Sequence, residues 1–328
     1  MTTVHVESAA QAQRPGFLAG AWKLGWVAAA SWLVAAAITW VLPDKIVWGD
    51  QTGLFALLLA IGAAVFVVLA VVPAWHPKTV VHYGPWFVAI GVWLAVWELL
   101  TAKLGWLPKP FFSPPQGLLY VYVNDWSRLL ICIGYTGRLW ILGFFSGVAA
   151  GFAAGVALGW SARFSYWGTP LLKLIGPVPA SAWIPCTFFI FPSTFYASIF
   201  LVALASGIPV AILTAAGVSQ VNRAYYDVAL TFGASSRWRI RKIAIPAALP
   251  NVFVGLFMGL YYSFAVLVIA EMLGAKYGLG WYLQFNTSYS AYANVYAALL
   301  IMALICAGLV KLQSVVRERL LIWQKGIL

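Results

Sequence analysis

Charged residues are scarce in this sequence. Asp, Glu, Lys and Arg make up 9% of the 328 residues, whereas hydrophobic residues make up 63%. Soluble domains carry about a quarter of their residues as charged side chains, so this composition excludes an ordinary soluble protein. It indicates an integral membrane protein. The net charge of +12 does not indicate a nucleic-acid partner, because the basic residues lie at the ends of apolar runs, where they anchor membrane helices.

Cysteine and histidine are also rare. The three cysteines lie far apart, in or beside apolar runs, at Cys132, Cys186 and Cys306. Their spacing fits neither a disulfide framework nor a metal site, so we expect packing roles. The three histidines lie outside the apolar runs, at His5, His76 and His82. An intramembrane enzyme is therefore disfavoured, since it would need a nucleophile and base or a metal cluster within the spans.

Eight apolar runs are long enough to cross a bilayer, which takes about 20 residues. They lie at about 22–42, 53–72, 83–101, 136–160, 166–191, 195–218, 250–273 and 291–310. Residues 102–131 are too rich in proline and polar residues for a span, and they predict an external loop with a surface helix. The predicted fold is an all-α, polytopic membrane helix bundle of about eight transmembrane helices, two of them ahead of a unit of six.

Orientation follows from lysine and arginine in the short loops. With the N-terminus inside, most of these residues fall on the cytoplasmic side, as expected for a bacterial membrane protein. The even number of spans then returns the C-terminus to the cytoplasm. We therefore predict a multi-pass protein with both termini cytoplasmic.

The stretch 224–250 is basic and amphipathic and lies between long apolar runs. From residue 223 to 250 it carries five basic residues against Asp227 alone, too much charge for hydrocarbon. Helical spacing places four small or apolar residues on one face: Tyr226, Ala229, Leu230 and Gly233. We expect Asp227 to complement the helix dipole, Gly233 to end the helix in a left-handed conformation, and Ser235 or Ser236 to cap the next one. The pattern predicts a docking helix, with a merely solvated loop as the alternative.

The same stretch resembles a family motif. Asp227-Val228-Ala229, Gly233 and Ile243-Ala244-Ile245-Pro246 are similar to the EAA loop of bacterial ABC importer permeases, with Asp in place of the usual Glu. The glycine follows the acid by six residues and the isoleucine follows the glycine by ten, as in that loop. The resemblance implies contact with an ATPase subunit by these residues: Asp227, Val228, Ala229, Phe232, Gly233, Ala234, Ile243, Ile245 and Pro246.

Further motifs resemble the nitrate/sulfonate/taurine group of these permeases. They are Glu98-Leu99-Leu100, Phe112-Ser113-Pro114-Pro115, Thr136-Gly137-Arg138, the run from Gly176 to Pro185, and Ala270-Glu271 with Gly278-Leu279-Gly280. The resemblance extends from about Tyr83 to the C-terminus and leaves out the two leading helices. Together with the apolar runs it predicts four segments: a cytoplasmic tail (1–20), two extra helices (21–82), a permease core (83–314) that includes the coupling loop (219–250), and a cytoplasmic amphipathic tail (315–328).

The implied function is that of the transmembrane subunit of an ABC importer for a small, anionic solute such as nitrate, a sulfonate or taurine. The sequence has no G-x-x-x-x-G-K-[ST] phosphate loop, so ATP and Mg²⁺ belong to a separate ATPase and no cofactor is expected in this chain. A second permease copy, an external solute-binding protein and membrane lipid complete the expected partners. Two alternatives stay open: an ATP-independent secondary transporter, and a permease for an aromatic acid or a vitamin precursor.

Candidate path residues lie where glycine and prolines interrupt the run 166–191. Freed carbonyls there are tolerated only beside protein or a water-filled cavity, although a packing kink is an equal alternative. The candidates, with residues of the facing helix, are Pro179, Ser181, Trp183, Pro185, Met258, Tyr261 and Tyr262. Glu271 and Arg138 are candidates for a gate or a binding-protein contact, and we also expect Glu271 to pair with Arg138 or Lys276. Glycines at 147, 151, 155 and 159 predict close helix packing, within the subunit or across a dimer.

Overall fold

The computed structural model describes residues 22–45, 51–71 and 78–323, and these residues form helices without a β-strand. Seven helices in this part are long and apolar enough to cross a membrane, and a bent pair provides an eighth span if it is counted as one. The predicted all-α membrane bundle is therefore confirmed. The predicted tail 1–20 and residues 324–328 of the C-terminal tail lie outside the described residues.

The α-helices of the described residues are α1 (Lys23–Val41), α2 (Thr52–Val71), α3 (Lys78–His82), α4 (Gly84–Glu98), α5 (Pro115–Asn124), α6 (Trp126–Trp160), α7 (Ala162–Ile175), α8 (Ile184–Ile190), α9 (Thr194–Ser219), α10 (Arg223–Thr231), α11 (Ser236–Arg239), α12 (Ile245–Gly274), α13 (Leu279–Ser288) and α14 (Tyr292–Leu320). Two π-helical turns, Leu99–Lys103 and Ile240–Ala244, extend α4 and precede α12. A short 3₁₀ turn, Ala180–Trp183, precedes α8.

Helix ends differ from the predicted spans where an amphipathic face continues a helix beyond its apolar run. Helix α6 begins at Trp126, earlier than predicted, because Leu129, Cys132 and Thr136 continue its buried face. The predicted surface helix therefore divides at Asp125 between α5 and α6. Helix α14 likewise continues to Leu320 through the first part of the predicted amphipathic tail.

The run 166–191, predicted as a span that glycine and prolines interrupt, is broken as expected. Helix α7 ends at Ile175, and the chain resumes with the 3₁₀ turn at Ala180 after a bend of 88°. Pro177 and Pro179 lack the N–H groups that a continuous helix would need, which explains the break.

The chain divides into two compact units, Met1–Asn124 and Asp125–Leu328. In the first unit the alanine-rich face of α1 packs against α2 and α4: Ala35 and Ala36 lie in one cluster with Phe55, Leu59 and Ala95. This packing groups α4 with the two leading helices, although its sequence resembles the permease core. The assignment of residues 83–314 to that core rests on the resemblance and stays a prediction.

Lys103, predicted to lie in an external loop, is a buried residue of the first unit. The π-helical turn directs its ammonium group to the C-terminal end of α1, where Nζ donates to the carbonyl oxygens of Thr39 and Leu42, each at 2.7 Å. Nζ also pairs with Asp44 Oδ1 at 2.6 Å and lies 3.8 Å from Glu98 Oε1. All three N–H donors thus have acceptors, which offsets the cost of burying the charge.

In the second unit, α6 and α9 approach each other backbone to backbone. A Cβ atom added at Gly147, Gly151, Gly155 or Gly159 would overlap a main-chain oxygen of α9. The predicted glycine stripe therefore packs within the subunit. Helix α9 also lies against α12, where Gly259 of α12 faces the backbone of Ser206. Small residues on both sides of α9 hold the three helices at short distances, as in other membrane bundles.

We predict that Lys103→Met destabilises the first unit, because Asp44 Oδ1 and the carbonyl oxygens of Thr39 and Leu42 lose the ammonium donor. Removing one partner of a buried pair costs about 3–5 kcal/mol, so the thermal unfolding midpoint of the detergent-solubilised protein should fall clearly. The control is Lys45→Met, whose exposed Nζ donates to Leu104 O at 3.4 Å. Equal midpoints for the two variants would contradict this role of Lys103.

We predict that Gly151→Ala separates α6 from α9, because the new methyl group would overlap the carbonyl oxygen of Gly207. Overpacking of this kind costs about 1–3 kcal/mol and should lower the yield of monodisperse protein in size-exclusion chromatography. Gly134→Ala on the same helix is the control, since no atom lies within 4 Å of its added Cβ. A variant at 151 that behaves like the control would show that the close approach is not needed.

Candidate functional site

The predicted coupling loop (219–250), called the coupling segment from here on, contains a short helix, α10, with defined ends. Asn222 Oδ1 caps the start of α10 by accepting from the N–H of Ala224 at 3.0 Å. At the other end Gly233 adopts a φ of +73°, its N–H donates to Leu230 O, and the N–H of Ala234 donates to Ala229 O at 3.0 Å. This pair of bonds is a Schellman motif. The predicted left-handed end at Gly233 is confirmed.

Helix α10 has an inward and an outward face. Tyr226 and Ala229 point toward the rest of the second unit, and Ala229 is 7% exposed. Two of the four residues on the apolar face derived from the sequence spacing are therefore packed, whereas Leu230 is 49% exposed and Gly233 is also exposed. Tyr225, Val228 and Phe232 form the outward face, with exposed fractions of 64%, 58% and 86%.

Asp227 is exposed on α10, but its predicted effect on the helix dipole is wrong. It lies beyond the first turn, which carries no acidic residue, and the dipole acts mainly within that turn. The N-terminal end is capped instead by Asn222, which the sequence analysis missed although Asn is a preferred capping residue.

The chain after the turn returns toward the bundle. The predicted cap of the next helix is confirmed at Ser235, whose Oγ accepts from the N–H of Trp238 at 3.4 Å. The remaining predicted coupling residues are partly buried: Ala234, Ile243, Ile245 and Pro246. The exposed residues among those predicted for coupling thus lie on α10 and its C-terminal turn, and their contact with an ATPase stays a prediction.

Four of the seven predicted path residues line one cavity of about 590 Å³ between α9, α12 and the broken segment. They are Pro179, Ser181, Met258 and Tyr262. Trp183, Pro185 and Tyr261 are exposed and are not part of its lining. None of the described residues that line the cavity is charged. A solute in this cavity would meet an apolar wall with the hydroxyl groups of Ser181 and Tyr262.

Glu271 is completely buried and accepts hydrogen bonds from two donors. The hydroxyl of Thr136 donates to Oε1 at 2.8 Å and also lies 3.0 Å from Oε2. The N–H of Gly280 donates to Oε2 at 2.8 Å, and the N–H of Leu279 donates to Thr136 Oγ1 at 2.8 Å. Glu271 and Thr136 together cap the N-terminus of α13, where a negative charge is favourable.

Glycine is required at the start of this cap. Gly278 has a φ of +122°, a region that favours glycine. A Cβ atom there would lie 2.5 Å from Glu271 Cδ. The Glu271 and Gly278-Leu279-Gly280 motifs are therefore parts of one structural feature.

The ion pair expected for Glu271 does not form. Neither Arg138 nor Lys276 lies within pairing distance of Glu271 in the described part of the chain. Arg138 instead places its guanidinium carbon 5.4 Å from the ring centre of Phe195. The partner of Glu271 is instead Thr136, a residue of the Thr136-Gly137-Arg138 motif that was not predicted to contact Glu271. The assignment of Glu271 and Arg138 to a gate stays a prediction.

No cluster of His, Cys, Asp and Glu that could hold a metal ion occurs within residues 22–45, 51–71 and 78–323.

Burial raises the pKa of Tyr226 above its usual value, and the nearby positive charge of Arg239 partly opposes this shift. The candidate site is therefore an exposed helix, an uncharged cavity and a buried helix cap.

The family model described as binding-protein-dependent transport system inner membrane component matches residues 147–321. That range is more than half of the chain and includes the coupling segment, the cavity and Glu271.

Several known permeases are similar along most of their length. The nitrate import permease protein NrtB of Synechococcus elongatus is 28% identical over 73% of this chain and 87% of its own. The putative aliphatic sulfonates transport permease protein SsuC of Escherichia coli is 29% identical, over 74% of this chain and 92% of its own. The taurine transport system permease protein TauC of Escherichia coli is 30% identical over 68% and 82%.

A solved structure has a similar fold. A chain of the MetNI methionine ABC transporter in an inward-facing conformation matches with a TM-score of 0.51 and 16% identity. The match covers 60% of this chain and 98% of that chain. At this identity the likeness concerns the fold alone.

We predict that Thr136→Val destabilises the cap of α13, because the buried N–H of Leu279 loses its acceptor and Glu271 loses a donor. An unsatisfied buried polar group costs about 1–3 kcal/mol, so the thermal unfolding midpoint should fall. Thr136→Ser keeps the hydroxyl and is the matched control. If Val and Ser at this position gave the same midpoint, the cap would not depend on the hydroxyl.

Proposed function

This chain belongs to the family of binding-protein-dependent transport system inner membrane components, and from that premise we propose how it couples transport to ATP hydrolysis. It is a multi-pass inner-membrane permease of an ABC importer of the nitrate/sulfonate/taurine type. In the proposal, it forms the path for a small, anionic solute. A separate ATPase subunit, which binds ATP and Mg²⁺, supplies the energy, and an external binding protein delivers the solute.

The observation that carries this proposal is the outward face of α10. Tyr225, Val228 and Phe232 share one side of a helix that is capped at both ends, and their side chains are largely exposed. Exposed aromatic and aliphatic groups on a rigid element are typical of a protein contact. The neighbouring carboxylate of Asp227 adds a charge that a basic residue of the ATPase would meet.

The loop must lie on the cytoplasmic side to meet an ATPase. The basic residues on and after α10, among them Arg223, Arg237, Arg241 and Lys242, are exposed and support that side. With this orientation both termini are cytoplasmic. A second copy of this permease, or a related chain, would complete the transport path and bind a second ATPase subunit.

The cavity beside the broken segment is the proposed transport path. Pro179 and Ser181 lie on one wall and Met258 and Tyr262 on the other. Main-chain groups freed by the break at 176–179 supply polar contacts in an otherwise apolar wall. Since no charged side chain lines the cavity, we assign selection of the anion to the external binding protein.

The solute class follows from the relatives. Their names refer to nitrate, aliphatic sulfonates and taurine, and all of these carry an anionic oxygen group. A formylaminopyrimidine permease of Halalkalibacterium halodurans is also similar, at 23% identity over 71% of this chain. That relative keeps a vitamin precursor as the alternative solute.

We predict that Phe232→Asp weakens assembly with the ATPase, because a charge replaces an exposed aromatic anchor. Loss of such an anchor lowers affinity roughly tenfold or more. The measurement is co-purification of the ATPase subunit with the tagged permease. The control is Tyr289→Asp, which changes a ring that is 72% exposed but lies outside the coupling segment.

Uptake of labelled nitrate, taurine and ethanesulfonate into vesicles that contain the complete complex tests the solute class. ATP-independent uptake by the permease alone would contradict the proposal and favour a secondary transporter. Retention of the ATPase by Phe232→Asp at the level of the control would contradict the assigned docking face.

A further inference from the structure

Trp160 is the last residue of α6, and both limbs of the coupling segment contact its indole ring. Tyr226 of α10, before the Gly233 turn, packs edge-on against the ring with centroids 5.4 Å apart and planes at 83°. Arg239 of α11, after the turn, places its guanidinium carbon 5.6 Å from the ring centroid. We call these three residues the Trp160 clasp.

The contacts to Trp160 position two groups that have few other partners. The phenol oxygen of Tyr226 and the Nε atom of Arg239 are buried and make no hydrogen bond to any residue that the structure describes. Arg239 is held on one side by Nη2, which donates to Ser236 Oγ at 3.1 Å. Stacking on an indole is a favourable setting for a guanidinium group with incomplete hydrogen bonding, since the ring face attracts the cation.

The clasp continues into the packed core of the second unit. One turn and two turns before Trp160, Val156 and Phe152 pack against a cluster formed by Val218, Ala244, Ala248 and Val252. These residues belong to the end of α9, the π-helical turn and the start of α12. Along the rest of its length α6 lies against α9 through the glycine stripe. A displacement of Trp160 is therefore carried to α6 and α9 together.

We infer that Trp160 is a positioning residue that passes motion of the coupling segment to the α6 and α9 pair. This inference rests on the proposed function. A force that the ATPase applies to the outward face of α10 moves Tyr226 with α10 and Arg239 with α11, so both helices act on the indole of Trp160. Without the indole ring of Trp160, α10 could tilt while α6 stayed in place, and ATP hydrolysis would be uncoupled from transport.

The test compares Trp160→Ala with Trp160→Phe in the complete complex of permease, ATPase and binding protein in lipid nanodiscs. The binding protein is loaded with nitrate, taurine or ethanesulfonate, whichever stimulates wild-type ATP hydrolysis most. Trp160→Ala should lower the ratio of stimulated to basal hydrolysis roughly tenfold, within the range of coupling energies between sites. Trp160→Phe keeps an aromatic face and should recover most of the ratio.

A coupling defect differs from a binding defect in its kinetics. The concentration of loaded binding protein that gives half-maximal stimulation should change by no more than about twofold, because only the maximal stimulated rate depends on the clasp. The matched control is Trp126→Ala, which removes an exposed tryptophan at the other end of α6 and should keep the wild-type ratio.

A wild-type ratio in an assembled Trp160→Ala complex would overturn the inference. If that variant does not assemble, Arg239→Lys carries the test, since it keeps the charge but loses the planar group that stacks on the indole. A wild-type ratio in that variant would also overturn the inference. If instead the wild-type chain recruits no ATPase, or no loaded binding protein stimulates it, the proposed function fails rather than the clasp.

Discussion

Close contact between the backbones of α6 and α9 is the interaction on which the second unit depends. Membrane helices gain little from apolar contact alone, since lipid tails are equally apolar, so van der Waals contact at short distance holds them together. The glycines at 147, 151, 155 and 159 allow it on one side of α9, and Gly259 of α12 allows it on the other. Helices α6, α9 and α12 are therefore closely packed, and the coupling segment, the cavity and the cap of α13 all lie against them.

The parts of that site differ in how firmly they are held. Near the start of α6, Thr136 joins Glu271 in capping α13. At the end of α6, Tyr226 and Arg239 of the coupling segment contact Trp160 through an aromatic and a cation–π interaction. Between them lies an uncharged cavity. In the proposed function, the end of α6 at Trp160 receives the motion of the ATPase subunit, and the start of α6 stays joined to α13 through Thr136.

Buried charges in both units are satisfied at helix ends. Glu271 accepts from a main-chain N–H at the start of α13, and Lys103 donates to two carbonyl oxygens at the end of α1. Terminal N–H and C=O groups have no partner within their own helix, and they carry partial charges opposite in sign to the charge of the side chain that binds them. This explains how an apolar protein retains a few charges without placing all of them in ion pairs.

Local sequence determined the features that depend on a few neighbouring residues: the spans from their apolar length, the turn at Gly233 from the freedom of glycine, and the cap at Ser235. Tertiary structure decided the partner of Glu271 and which face of α10 is free. The spacing of Tyr226 and Ala229 revealed an apolar face but could not tell whether it packs inside or meets a partner. Such choices depend on residues distant in the chain, here Trp160 and Thr136, and only folding brings them together.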